Sequence, residues 1–241
     1  LSVALPATAA LAQKTKDKTP APAETTAPSE AEFTVDVPTI EAVGSSLDED
    51  ALRDILSGNL SDYAEELATL SAQSITIPEL TVTALIEMDD EDVESTSSFT
   101  DIVLTDVVDG VAASMRIGAI STSSDDDFTY EMETMSAETV DIGGVLGMYG
   151  LVAVSPSDEF KTLYTNYNLA GGTLTTDDAD CTIGALSAAE FKARPLKTSF
   201  PEMMSLVERL EEQEDEPDPQ VVGALLKMYA DIFTAFESSP I

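Results

Sequence analysis

Glu131 and Glu133 are the nearest this chain comes to a catalytic pair. Residues two apart on an extended strand point the same way, so their side chains would stand about 7 Å apart, close to the spacing of paired carboxylates in glycoside hydrolysis. That chemistry also needs an environment that raises one of the two pKa values. The alternating stretch FTYEMETM instead sets both acids opposite Phe128, Tyr130 and Met132, and an exposed polar strand face accounts for them. The acidic clusters DDED at 89–92, DDD at 125–127 and DDAD at 177–180 carry the oxygen ligands that calcium takes. None has the Gly at the sixth place and Glu at the twelfth of a helix-loop-helix calcium site, and all three fall at expected turns, where Asp is favoured for its local hydrogen bonds.

Gly144, Gly147 and Gly150 are spaced by three inside an apolar pattern of helical period, without the order or the Lys-Ser of a phosphate loop. Close packing of a helix against a sheet explains them better. Cys181 is the single cysteine, and with no His in the chain it has no partner for nucleophilic catalysis; a small buried apolar residue is the expectation. The lack of His also removes Ser-His nucleophiles, the HExxH zinc site and the usual proton shuttle at neutral pH. No residue is nominated as catalytic, cofactor-binding or metal-binding, and no cofactor is expected.

Charge narrows the partners. Forty-six Asp and Glu against 11 Lys and Arg give a formal charge of -35, which excludes nucleic acid, since phosphate binding needs clustered cations. The acids solubilise the chain, and a saline setting would weaken their mutual repulsion. The chain opens LSVALPATAALAQ, an apolar run with small residues at Ala10 and Ala12 before a switch to polar sequence, which reads as the C-terminal part of a signal peptide over residues 1–12. A Pro/Ala/Thr linker at 13–33 follows, and no later stretch is apolar for long enough to span a membrane as a helix. The expected location is the periplasm.

The elements that would position any site follow from periodicity. Residues 34–72 form an N-terminal helical segment: Ser46 and Glu49 have capping-box spacing, Gly58 and Asn59 interrupt, and Ser61 caps a second helix that buries Tyr63, Leu67 and Leu70. From Ser74 the period becomes two. Ile75 and Ile77 share a face, Pro78 interrupts, and Leu80, Val82 and Ala84 resume in the other phase, which predicts a bulge or an edge at the proline. Asp109-Gly110 predicts a hairpin turn, and the returning strand VAASMRIGAIS places Val111, Ala113, Met115, Ile117 and Ala119 inward. DIGGVLGMYG at 141–150 and GALLKMYADIF at 223–233 are both read as helical, the second opened by Pro219 behind Asp218 as its cap.

MRIGAIS at 115–121 returns as CTIGALS at 181–187, and Leu146-x-Met148-Tyr149 returns as Leu226-x-Met228-Tyr229. These matches, in the same order, suggest a duplication, with a first unit at 73–156 and a second at 157–241. The expectation is an α+β fold, a curved antiparallel β-sheet built from two related hairpin-plus-helix units with helices packed on one face. For function it is a non-catalytic envelope protein that binds a lipid or other apolar ligand, or another envelope protein. An enzyme of unrecognised type and an acidic cation-binding or adhesion module are the alternatives.

Overall fold

The computed structural model describes residues 31–87, 92–124, 128–153, 157–199, 202–206 and 219–240. The expected signal peptide at 1–12, most of the linker, and the acidic runs at 89–91 and 125–127 lie outside the described residues, as does the Asp218 cap. The fold is dominated by one antiparallel sheet of thirteen strands. β1 (Ala31–Asp36) and β2 (Glu41–Val43) lie end to end along β3 (Ala72–Glu87), and β3 pairs along its length with β4 (Asp92–Val108). Then come β5 (Val111–Ile117) with β6 (Ala119–Ser124), β7 (Phe128–Met132) with β8 (Met135–Asp141), β9 (Lys161–Leu169) with β10 (Gly172–Thr176), and β11 (Ala179–Ile183) with β12 (Leu186–Ala193). Each of these four couples is one long strand with a break in it, and the four follow one another in a meander from β4. β13 (Phe236–Pro240) closes the far side against β12.

The breaks line up. Register places Pro78 opposite Asp101, Asp101 opposite Gly118 and Gly118 opposite Thr134. Hydrogen bonds cross the same line: Gly118 N–H donates to Thr100 O at 2.8 Å, Thr134 Oγ1 to Gly118 O at 3.2 Å and Ala170 N–H to Thr134 O at 2.9 Å. The line is a transverse crease across the sheet. A second crease runs through Gln73, Asp106, Ala113 and Thr139, and Asn166 sits nearby where the β8–β9 register shifts. Asp101, Asp106, Thr139 and Asn166 carry the reversal with φ of 50°, 46°, 48° and 49°. Left-handed φ is tolerated best by Asp and Asn among residues other than Gly.

From β3 through β8 a crease resets side-chain alternation without inserting a residue, so register survives there; between β8 and β9 it shifts at Ser136/Glu138, beside Asn166. On β3 the buried series runs Ala72, Ile75, Ile77, Leu80, and on β4 the inward series runs Val107, Leu104, the half-buried Ile102 and Phe99. In each series the step across a crease is three residues rather than two. The phase change expected at Pro78 is therefore present, shared by the whole sheet instead of confined to an edge or bulge. On β5 and β6 the same rule corrects the expectation of strict alternation: Met115 and Ile117 face inward, but Ala113 and Ala119 are exposed, and Ala112 and Ile120 take the buried places. Ile117-Gly118-Ala119 and Ile183-Gly184-Ala185 both mark the first crease, in strands whose chain directions are opposite.

The helices are few and short. α1 (Glu49–Asp54) is capped by Asp48, whose Oδ1 accepts from Ala51 N–H at 2.8 Å, rather than by Ser46, whose hydroxyl instead accepts from Ser71 N–H at 3.1 Å. A wide turn, Ile55–Asn59, with Gly58 at φ 116°, and a tight turn, Leu60–Tyr63, lead into α2 (Ala64–Ala68), where Ser61 makes no cap. Leu52, Ile55, Leu67 and Leu70 join the inward residues of β3 to β6 and β8 in the main core. α3 (Ile142–Met148) is helical as its spacing predicts, capped by Asp141 accepting from Gly144 N–H at 2.6 Å. Its glycines allow the close approach: a Cβ on Gly144 would stand 2.9 Å from Leu163 Cδ2 of β9. α4 (Pro219–Thr234) begins at the expected proline. Among the described residues no helix is long and apolar enough to cross a membrane.

Candidate functional site

The inward residues form rows across the sheet, and burial drops at their far end. One row runs Ile77, Ile102, Ile117, Met135, Leu169, Leu186; the next beyond the crease runs Leu80, Phe99, Ile120, Met132, Gly172, Ile183. Ile77, Ile117 and Leu169 are buried, yet Leu186 at the end of the same row is 57% exposed. Ile183 and Ala188 are only partly buried, and Cys181 is exposed, against the expectation of a buried thiol. An apolar strip on the core side of the sheet is thus left open at β10 to β12.

Aromatic groups flank this strip. The Tyr130 hydroxyl donates to the Met132 sulfur, Tyr164 and Tyr167 have ring centroids 5.8 Å apart, and Tyr164 stacks on Phe191 at 4.8 Å. Burial pushes up the Tyr130 pKa, and burial followed by the neighbouring Tyr130 raises that of Tyr167. Tyr164 is raised to about 12, by burial first and then by Tyr167 and Tyr149. These phenols stay neutral at neutral pH, so the strip offers apolar surface and hydroxyl hydrogen bonds rather than an acid or a base.

The other candidates lie elsewhere. Glu131 and Glu133 are both exposed, and Glu133 N–H donates to Gly171 O at 2.9 Å on the crease; the two acids do not share a cleft. Asp177 and Asp178 form the two-residue turn between β10 and β11, and Asp180 is exposed on β11. Among the described residues no three Asp, Glu or Cys side chains gather as metal ligands would. The buried acid is one the sequence did not single out, Asp231 of α4. Its Oδ1 accepts from Arg194 Nη2 at 2.6 Å and its Oδ2 from Lys197 N–H at 2.7 Å. Burial pushes its pKa up, but these two bonds and the nearby cations prevail and hold it below the usual carboxylate value. It fastens α4 to the segment after β12. A shallow depression of about 560 Å³, lined by Gly147, Gly150, Val152, Pro195, Leu196 and Lys197, lies beside that segment. Comparison with protein-family models, with curated proteins and with solved structures finds no match to this chain.

Proposed function

We propose that the protein is an exported, non-catalytic envelope protein of the periplasm that binds an apolar ligand, a lipid acyl chain or a molecule like it, on the strip between Tyr130 and Leu186. The observation that carries this reading is the exposure of core-side residues: Leu186 is exposed and Ile183 half-buried in rows whose other members are buried or half-buried, so a ligand there would complete a surface already built as core. Covering apolar area is favourable by about 25 cal/mol per Å², and the tyrosine hydroxyls would orient a polar head. The same proposal includes the duplication of 73–156 and 157–241, supported by the helical state of both Leu-x-Met-Tyr segments. The opposite chain directions of β5/β6 and β11/β12 would require the two units to be related by a rotation rather than a simple shift along the sheet.

Titration with N-phenyl-1-naphthylamine, a dye that brightens in apolar sites, tests the site. Saturable binding is expected, weakened in Leu186→Asp and Ile183→Asp while circular dichroism is unchanged. Equal binding by the wild type and both folded variants would place the dye elsewhere and overturn the assignment.

A further inference from the structure

We propose that β11 is a self-pairing edge, through which two copies of this chain join into one continuous antiparallel sheet. The inference does not depend on the strip holding a ligand. Among the described residues β11 pairs with β10 on one side only, and four of its five residues are exposed. The sheet's other outer strands are interrupted: β1 and β2 divide their side into two separate pieces, and β13 ends in Pro240. β11 has no proline, no lysine and no bulge against β10, devices that keep an edge from pairing, and its one charged residue is Asp180.

The hairpin geometry says which backbone groups are free. The two-residue turn Asp177-Asp178 makes Thr176↔Ala179 a hydrogen-bonded pair, and alternation then makes Leu174↔Cys181 and Gly172↔Ile183 hydrogen-bonded too. The N–H and C=O of Asp180 and Thr182 therefore point away from β10. Two-fold pairing can match only outward residues with outward residues, which leaves three registers that keep contact along the strand. Centring on Asp180 sets like charges opposite each other, and centring on Thr182 pushes most of the strand past its partner. Centring on Cys181 uses the whole strand: Asp180 faces the second copy's Thr182, Ala179 faces Ile183, and Asp177 and Asp178 fall opposite Ala185 and Gly184. Every carboxylate meets an uncharged residue, and the open apolar strips of the two copies become continuous.

In this register the two Cys181 residues form a non-hydrogen-bonded pair, with Cα atoms about 4.5 Å apart and side chains on the same face, within reach of a disulfide. Cys181 is thus a built-in reporter. Treatment with copper(II) phenanthroline should join two chains: two S–H bonds break, one S–S bond forms, and two electrons pass to copper. Thr182→Pro removes an outward donor without touching the β10 ladder and should slow cross-linking roughly tenfold, while native circular dichroism and alkylation of Cys181 by iodoacetamide are retained. Because each chain carries -35, the wild-type rate should rise with salt as repulsion is screened. Sedimentation should show a concentration-dependent dimer in the wild type. Equal cross-linking rates for the wild type and Thr182→Pro, or a monomer at every concentration and salt level, would overturn the proposal.

Discussion

Replacing Asp231 by Ala should produce the largest loss of stability of any single substitution of a charged group among the described residues. The Asp231 and Arg194 side chains are 9% and 8% exposed, so water cannot take over for a lost partner. The carboxylate accepts from Arg194 at 2.6 Å and from the Lys197 N–H at 2.7 Å; without it the guanidinium keeps, among the described residues, Thr234 Oγ1 and Pro195 O, each at 3.1 Å. Breaking a buried pair in this way costs about 3–5 kcal/mol, whereas replacing both charges with apolar groups is often neutral or better. The expected order of loss in urea unfolding is Asp231→Ala, then Asp231→Asn, which keeps one acceptor, then the double variant Arg194→Met/Asp231→Leu, close to wild type. The pKa of Asp231 is lowered in the fold, so its stabilisation is present above the ordinary carboxylate pKa and is lost as pH falls through the lowered value; Asp231→Asn should flatten that acid limb. Hydrogen exchange would tell release of α4 alone from global unfolding. A loss under about 1 kcal/mol for Asp231→Ala, or a double variant as damaged as the single one, would refute the reasoning.

Three further outcomes are expected. Gly110→Ala should cost about 3 kcal/mol or more in urea unfolding, because a Cβ there, at φ 74°, would overlap Ala68 O and disturb the N–H that donates to Leu70 O at 2.8 Å. Thr139 holds φ 48° with a β-branched side chain, so Thr139→Asn should stabilise by roughly 0.5–1 kcal/mol, read as a higher melting temperature. Ultraviolet titration should show Tyr164 ionising near 12. Because that pKa is raised above the unfolded value, the stabilisation linked to it holds below the ordinary tyrosine pKa and disappears as pH rises through 12; Tyr164→Phe should remove that alkaline step.

Much of the architecture was legible where a local rule acts alone. Asp109-Gly110 asks for a turn with two positive φ values and has them, 48° and 74°; Pro219 opens α4; Leu67 of α2 and Leu70 just after it are buried. The helix starts were missed where several side chains compete for the same amides, as when Asp48 capped α1 and left Ser46 to Ser71. The open strip was not legible. Leu186, Ile183 and Cys181 have the composition of core, and nothing in a local pattern reveals that Leu186 and Cys181 stand exposed. Asp231 escaped notice because its partner is 37 residues away.

The creases explain the remaining difference and carry the most general physical lesson. A strand of 16 or 17 residues, such as β3 or β4, would normally keep one face inward by strict alternation. At Asp101 and Asp106 the backbone enters the left-handed region and the next residue turns to the opposite face, so strict alternation across either point predicts the wrong side. The error is systematic: Ala113 lies on one crease and Ala119 follows the other, and both were assigned inward. A phase change confined to one strand would destroy its pairing, since a slip of one residue exchanges the faces. Here the neighbours change phase on the same line, and the hydrogen bonds from Gly118 to Thr100 and from Ala170 to Thr134 persist across it. The repeated Ile-Gly-Ala is therefore the local signature of a feature shared across strands, with Gly118 set against Asp101, where an added Cβ would come within 2.8 Å of the Asp101 Cβ. Gly118→Ala should consequently disturb both β4 and β6 and be rescued in part by Asp101→Gly, which removes the opposing side chain and suits φ 50°. Additive losses in that double variant would show that the two positions do not act as one crease.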